Sequence, residues 1–182
     1  MDLLKEKNRK SILVQTENRV NDRDLKEIIS QILTVLLGEE DNAIEISTRL
    51  LLEYFDADQV YIALFDDKQE KIFFLQKSLS DLDATTLTDL KELPYEEVPW
   101  TVQCIKQKID IVCDDLSQLP PEADIDRRLL VEKQKLKSML VLPLVLQDKA
   151  QGAIGFDFSR NTHYWTEKEI SDLRIIVRAL AI

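Results

Sequence analysis

The same pattern punctuates the chain twice: an apolar run of strand length, a short polar link, and a second run. Val60 to Phe65 is followed by Asp66-Asp67-Lys68-Gln69 and then by Lys71 to Leu75. Met139 to Leu146 is followed by Gln147-Asp148-Lys149 and then by Ala153 to Phe158. Links this short join antiparallel neighbours, because a parallel crossover needs a dozen or more residues. The chain is therefore expected to build a largely antiparallel sheet. Val60 to Phe65 is apolar on both pleat faces, which implies cover on each side. In the next run Ile72 and Phe74 share one face.

Helical spacing fills the remainder. Leu25, Ile28, Ile29, Ile32 and Leu36 form one stripe, with Asp22 or Asp24 to cap its start and Gly38 as a stop. Asn42 and Glu45 have the spacing of a capping box before a second helix, on which Ile44, Leu51 and Phe55 share a side. From Lys77 to Pro99 the chain is long, acidic and irregular, with a short helix expected around Leu87 to Leu93. Pro99 suits the first position of a helix running to Lys108. A strand at Ile109 to Cys113, a loop through Pro120-Pro121 and a helix from Ile125 to Lys137 follow. Thr166 and Glu169 form a second capping box ahead of Ile170, Leu173, Val177 and Leu180. The expected class is α+β, a central antiparallel sheet of five to six strands flanked by helices. Residues 1–21 read as an N-terminal linker or helix, and 22–182 as a single domain with its core at about 40–182.

Composition narrows the function. The 182 residues carry 24 Lys and Arg against 34 Asp and Glu, a net charge of −10. Such a chain repels phosphate backbones, so nucleic acid is not an expected partner. No apolar stretch approaches the roughly 20 residues that span a bilayer, and the N-terminus lacks a signal-peptide core. Two Cys supply no disulfide framework, which suits a reducing cytoplasm. The expectation is a cytoplasmic chain without direct membrane contact. With Gly only at 38, 152 and 155, no phosphate-binding glycine loop and no Gly-x-Ser-x-Gly elbow can be written.

Several segments in order resemble the GAF domain, a small-molecule sensing module of signalling proteins, and share its GAF/PAS-like architecture. They are Leu51-Leu52-Glu53-Tyr54-Phe55-Asp56-Ala57-Asp58 running into Gln59-Val60-Tyr61-Ile62-Ala63-Leu64-Phe65, then Ser138-Met139-Leu140-Val141-Leu142-Pro143-Leu144 leading to Gln151-Gly152-Ala153-Ile154-Gly155-Phe156, and the closing Tyr164-Trp165-Thr166-Glu167-Lys168-Glu169-Ile170. The resemblance covers about residues 40–182. It implies a non-catalytic sensor, part of a larger signalling protein such as a histidine kinase of a two-component system. The uncapped apolar stop at Arg178-Ala179-Leu180-Ala181-Ile182 fits a domain cut from such a protein. The resemblance also implies a homodimer formed through the helices at 22–37 and 166–182. No cofactor is implied. Its ligand site, an unidentified small molecule between one sheet face and the middle crossover, would fall on Phe65, Phe74, Trp100, Cys104, Asp114, Asp115 and Arg127. The Asn-Lys-Phe-Asp sequence of the cyclic-nucleotide branch is absent.

Each candidate has a plainer reading. Cys104 and Cys113 are a thiol pair or two buried structural thiols. His163, the single His, lacks a second His for a metal and reads as a turn residue. Asp66-Asp67 and Asp114-Asp115 do acid/base work, hold a divalent cation, or are solvated turns. Arg127-Arg128 binds an anion at a helix start, or pairs with Asp124, Asp126 or Glu132. Phe65, Phe74 and Trp100 line a pocket or complete the core. Pro143 implies a bulge or an edge, and Gly152 and Gly155 a close approach where strands meet a helix. Three functions remain: a ligand-binding sensor, a ligand-free dimerisation module, and a cysteine-dependent methionine sulfoxide reductase. An open cavity near Trp100 and Arg127 would favour the first, a filled interior the second.

Overall fold

A computed structural model describes residues 24–38, 41–80 and 90–180. The linker at 1–21 and the first three residues of the helix expected at 87–93 lie outside them. Helix α1 (Leu25–Leu37) starts at Asp24, whose carboxylate accepts from the Lys26 N–H at 3.3 Å, and buries Leu25, Ile28, Ile29 and Ile32. Helix α2 (Ala43–Phe55) follows. Asn42 makes no side-chain cap bond there, so that expected capping box does not form. The helix ends at Asp56 in the left-handed region, φ 49°.

The sheet contains β1 (Gln59–Asp66), β2 (Lys71–Leu79), β3 (Glu92–Pro94), β4 (Ile111–Cys113), β5 (Ser138–Leu146) and β6 (Lys149–Phe158). Its order is β3-β2-β1-β6-β5-β4, every pair antiparallel. Both hairpins form. β2 runs four residues past Leu75, because Ile62 pairs with Gln76 and Ala63 with Phe74, and Leu75 bulges out between them. Glu92–Pro94 is a strand where a helix was expected. Leu93 is buried between two less buried neighbours, and Pro94 needs no donor at the sheet edge.

Helix α3 (Pro99–Lys106) begins at its proline and stops two residues short of Lys108. One turn, α4 (Asp124–Arg127), passes into a wide π-helical stretch at Arg128–Lys133, so the helix expected to Lys137 ends early. β5 and β6 meet at Gln147 and Asp148, with φ of 49° and 63°, a two-residue turn whose twist matches the strands. Pro143 lies past the end of β4, whose pairing stops at Val141, and the ladder with β6 shifts between Leu144 and Val145. Its missing N–H therefore interrupts nothing in β4. The close approaches at the glycines come from β1, not from a helix. A Cβ on Gly152 would lie 2.0 Å from the Ala63 carbonyl oxygen, and one on Gly155 would lie 2.1 Å from the Tyr61 ring.

Helices α1, α2 and α5 (Glu167–Leu180) cover one sheet face. Ile62, Leu140, Leu142, Ile154 and Phe156 are buried beneath them. The second capping box does form: Thr166 Oγ1 accepts from the Glu169 N–H at 3.2 Å, and Glu169 accepts from the Thr166 N–H at 2.8 Å. His163 is not a surface-turn residue. Its ring stacks on Phe158 and lies 4.3 Å from Trp165, inside an aromatic group with Phe55 and Phe156.

Asp58, 1% exposed, ties this layer to the sheet. It accepts from the N–H groups of Ser159 (2.6 Å) and Arg160 (2.9 Å) and pairs with the Arg160 guanidinium. Burial pushes its carboxyl up, but these donors outweigh burial and hold it below the usual range. Stability from Asp58 is thus complete above its unfolded value and lost as pH falls through the folded one. Asp58→Ala, which strands Arg160 and two N–H groups, is expected to cost about 3 kcal/mol at pH 7, read from urea denaturation. The loss should shrink as pH falls below the ordinary carboxylate range.

Candidate functional site

The other sheet face is built from small and polar pairs. Register sets Ala63 against Ala153, Tyr61 against Gly155 and Gln59 against Asp157. On the helix-covered face the same two strands pair Val60 with Phe156 and Ile62 with Ile154. Period-two alternation therefore fills one face and leaves the other hollow at its centre. The segments crossing the hollow face bury two separate apolar clusters. One gathers Ile105, Leu116, Met139 and Val141, the other Ile72, Leu93, Val98 and Leu129. Between them lies a cavity of about 60 Å³ over Ala63 and Ala153. At roughly 10–15 Å³ per water on this scale, it has room for a few waters or a compact organic group. The wide π turn puts consecutive residues, Leu129 and Leu130, on its wall.

Gln59, Tyr61, Lys77, Thr101, Gln134 and Asp157 make its polar lining. Asp157 is 4% exposed. Its Oδ2 accepts from Gln59 Nε2 at 3.2 Å, while Oδ1 meets no protein donor. Burial pushes this carboxyl up to about 7, with Lys77 opposing and Asp58 adding to the rise. Thr101 Oγ1 is likewise buried without a protein partner. Lys77 Nζ sits 3.9 Å over the Phe74 ring. Burial, and then the charge of Asp157, raise Tyr61 well above its ordinary value, so it contributes a neutral hydroxyl.

Of the seven residues expected at a ligand site, Phe65 and Phe74 line this cavity. The other five do not. Trp100 and Cys104 pack against the cluster of Ile105 and Leu116. Asp114 accepts from the Trp165 N–H at 3.2 Å and steadies the entry to α5. Asp115 caps a short turn through the Ser117 N–H at 2.9 Å. Arg127 donates to the Leu119 carbonyl at 2.6 Å and to Asp124 at 3.3 Å, so it serves a loop. The cavity thus opens beside Thr101 rather than beside Trp100 and Arg127. Its polar residues escaped sequence reasoning, although one signal was present: Asp157 is the lone acid in the apolar run from Ala153 to Phe158.

The remaining candidates serve the fold or lie away from the cavity. Asp66 closes its turn through the Lys68 and Gln69 N–H groups. Asp67 bridges Lys106 and Lys149 at 2.9 and 3.1 Å. Burial, and then nearby acids, raise both cysteine thiols, although an Asp115 backbone bond opposes the rise at Cys113. Neither lines the cavity. Among the described residues no three His, Cys, Asp or Glu side chains converge as metal ligands, and no helix is long and apolar enough to cross a membrane.

A family model described as the GAF domain matches residues 39–182. The chain belongs to the GAF domain family. Solved structures agree on the fold. A phycocyanobilin-bound GAF domain from a cyanobacterial phytochrome superposes with a TM-score of 0.72 at 15% identity, over 88% of this chain and 93% of that one. A free methionine-R-sulfoxide reductase from Neisseria meningitidis, in complex with its substrate, gives 0.68 at 16% identity, over 90% and 92%. The GAF domain of an Acinetobacter phosphoenolpyruvate-protein phosphotransferase gives 0.66 at 12% identity, over 88% and 92%. No curated protein matches this GAF domain by sequence.

Two measurements probe the site's construction. Asp126, fully buried, reaches back to cap α3 by accepting from the Trp100 and Thr101 N–H groups at 3.2 and 2.8 Å. Asp126→Ala is expected to cost about 2 kcal/mol in chemical denaturation. Asp157 holds its proton in the folded state up to about pH 7 but releases it near pH 4 when unfolded. Its contribution therefore becomes less favourable as pH rises from about 4 to about 7, then levels off. The melting temperature of Asp157→Asn minus that of the wild type should climb across that window.

Proposed function

We propose that this GAF domain is a non-catalytic sensor whose small-molecule ligand occupies the cavity over Ala63 and Ala153. One observation carries the reading. The cavity is apolar in its body, and two of its buried polar atoms, Asp157 Oδ1 and Thr101 Oγ1, find no protein partner. A packed scaffold module would close such a space, because unmatched polar atoms and lost contacts both cost stability. The raised thiols of Cys104 and Cys113 disfavour nucleophilic chemistry.

Signal passes through β6. Its cavity side carries Ala153 and Asp157, and its opposite side carries Phe156, whose ring lies 5.6 Å from Phe55 and 5.4 Å from Trp165. A ligand that favours one seating of β6 favours one seating of α2 and α5, by its difference in affinity between the two states. Residues Leu37, 81% exposed, and Ile175, 46% exposed, leave apolar surface on α1 and α5. Those helices join two copies and lead to an output domain such as a histidine kinase in the cytoplasm.

Native mass spectrometry and thermal-shift screening test the reading together. Expected are a dimer mass and a ligand that raises the melting temperature in a dose-dependent way. Ala153→Leu, which fills the cavity, should abolish that shift. A stabilising ligand whose effect persists in Ala153→Leu would place the site elsewhere. A monomer at high concentration would remove the role of α1 and α5 in pairing.

A further inference from the structure

Asp157 and Thr101 say something about what the cavity accepts, given the reading of it as a ligand site. A carboxylate this deep is costly when ionised unless a cation or several donors meet it. Gln59 supplies one donor, to Oδ2. The neighbouring charges are Lys77, on β2, and Asp58, at the start of β1 and committed to Arg160. Oδ1 still has no donor from the protein. Away from this end the walls are mostly hydrocarbon, from Ile72, Leu93, Val98 and Leu129 with the Gln134 amide beside them, over a floor of two alanines. The volume, about 60 Å³, limits the occupant to a compact molecule.

We propose that the ligand is a small primary amine, bound as its ammonium to Asp157 Oδ1, with a short branched apolar body over Ala63 and Ala153. An ammonium brings three donors and a positive charge to the one atom that needs both. An anionic head in the same place would face Asp157 directly. A neutral hydroxyl would satisfy Oδ1 but add no positive charge to the partial compensation that Lys77 supplies. Thr101 Oγ1 offers a second polar contact, able to accept from an N–H or donate to an oxygen of the same ligand. Amine binding draws the carboxylate into its ionised form, against the burial that favours its proton when no cation is present.

Three molecules with one carbon skeleton isolate the head group: 3-methylbutylamine, 3-methylbutanol and 3-methylbutanoate. Their affinities for the intact chain are measured by calorimetry at pH 7.5, with thermal shift alongside. The amine is expected to bind at least about tenfold more tightly than the alcohol, and the acid weakest. In Asp157→Asn, which keeps the Gln59 contact, the preference for amine over alcohol should fall to within about twofold. The wild-type comparison stands even where that variant folds poorly. Equal or better binding of the alcohol or the acid overturns the ammonium assignment, and so does an amine preference that survives in Asp157→Asn. Either result leaves the cavity as a ligand site if Ala153→Leu blocks the binding. No binding of any of the three at millimolar concentration, with Ala153→Leu more stable than the wild type, overturns both readings and makes the cavity a packing defect.

Discussion

Where β1 and β6 lie side by side, the strand period sorts residues onto two faces with opposite consequences. Val60, Ile62, Ile154 and Phe156 go to one side, where three helices bury them. Ala63, Ala153 and Gly155 go to the other, where they cannot reach the segments crossing above. A register slip of one residue would exchange the two sets and destroy both layers. Asp58 guards against such a slip at one end by gripping Ser159 and Arg160, just past β6. The turn at Gln147 and Asp148 fixes the other end of the same strand. The cavity is thus a direct product of the register, and its floor is as well determined as the core on the opposite face.

Electrostatics then separates Asp58 from Asp157, although both are buried acids near the same end of the two central strands. Asp58 meets backbone and guanidinium donors and stays ionised. Asp157 meets one amide and is pushed toward its neutral form. A fold seeking only stability would place a Leu or Met at residue 157, since an unmatched buried carboxylate weakens the native state increasingly from about pH 4 to about pH 7. That standing cost is what supports the proposed role of Asp157 in binding.

Much of the architecture was legible because it rests on local signals. Alternating apolar residues and short polar links identify both hairpins, and Thr166 with Glu169 three residues on identifies the start of the last helix. What escaped depends on distant partners. Leu75 reads as the end of a strand because its bulge breaks the alternation, and only pairing with β1 carries β2 onward. Asp126 caps a helix that begins 27 positions earlier, and the Trp165 N–H held by Asp114 lies 51 positions later. No window of sequence contains both members. The same holds for the site. Phe65 and Phe74 follow from the first hairpin, whereas Asp157 becomes a cavity residue only once β6 lies beside Gln59. Arg127 and Asp115 look like anion and cation ligands because the loop groups that occupy them are invisible in a list of charges.

The position of Asp157 also decides how binding can be felt elsewhere. It flanks Phe156 and Phe158, which belong to the aromatic group with Phe55, His163 and Trp165. A change at the carboxylate must move the backbone of β6 or leave it in place, because adjacent residues share one peptide plane and point to opposite faces. Aromatic rings packed edge to face accept few intermediate positions. In the proposed sensor a small displacement of β6 would be resisted until the rings found a second seating, and α5, entered through Trp165, would shift with them. A ligand held only by the apolar walls, with no anchor on β6, would stabilise the domain without biasing α5.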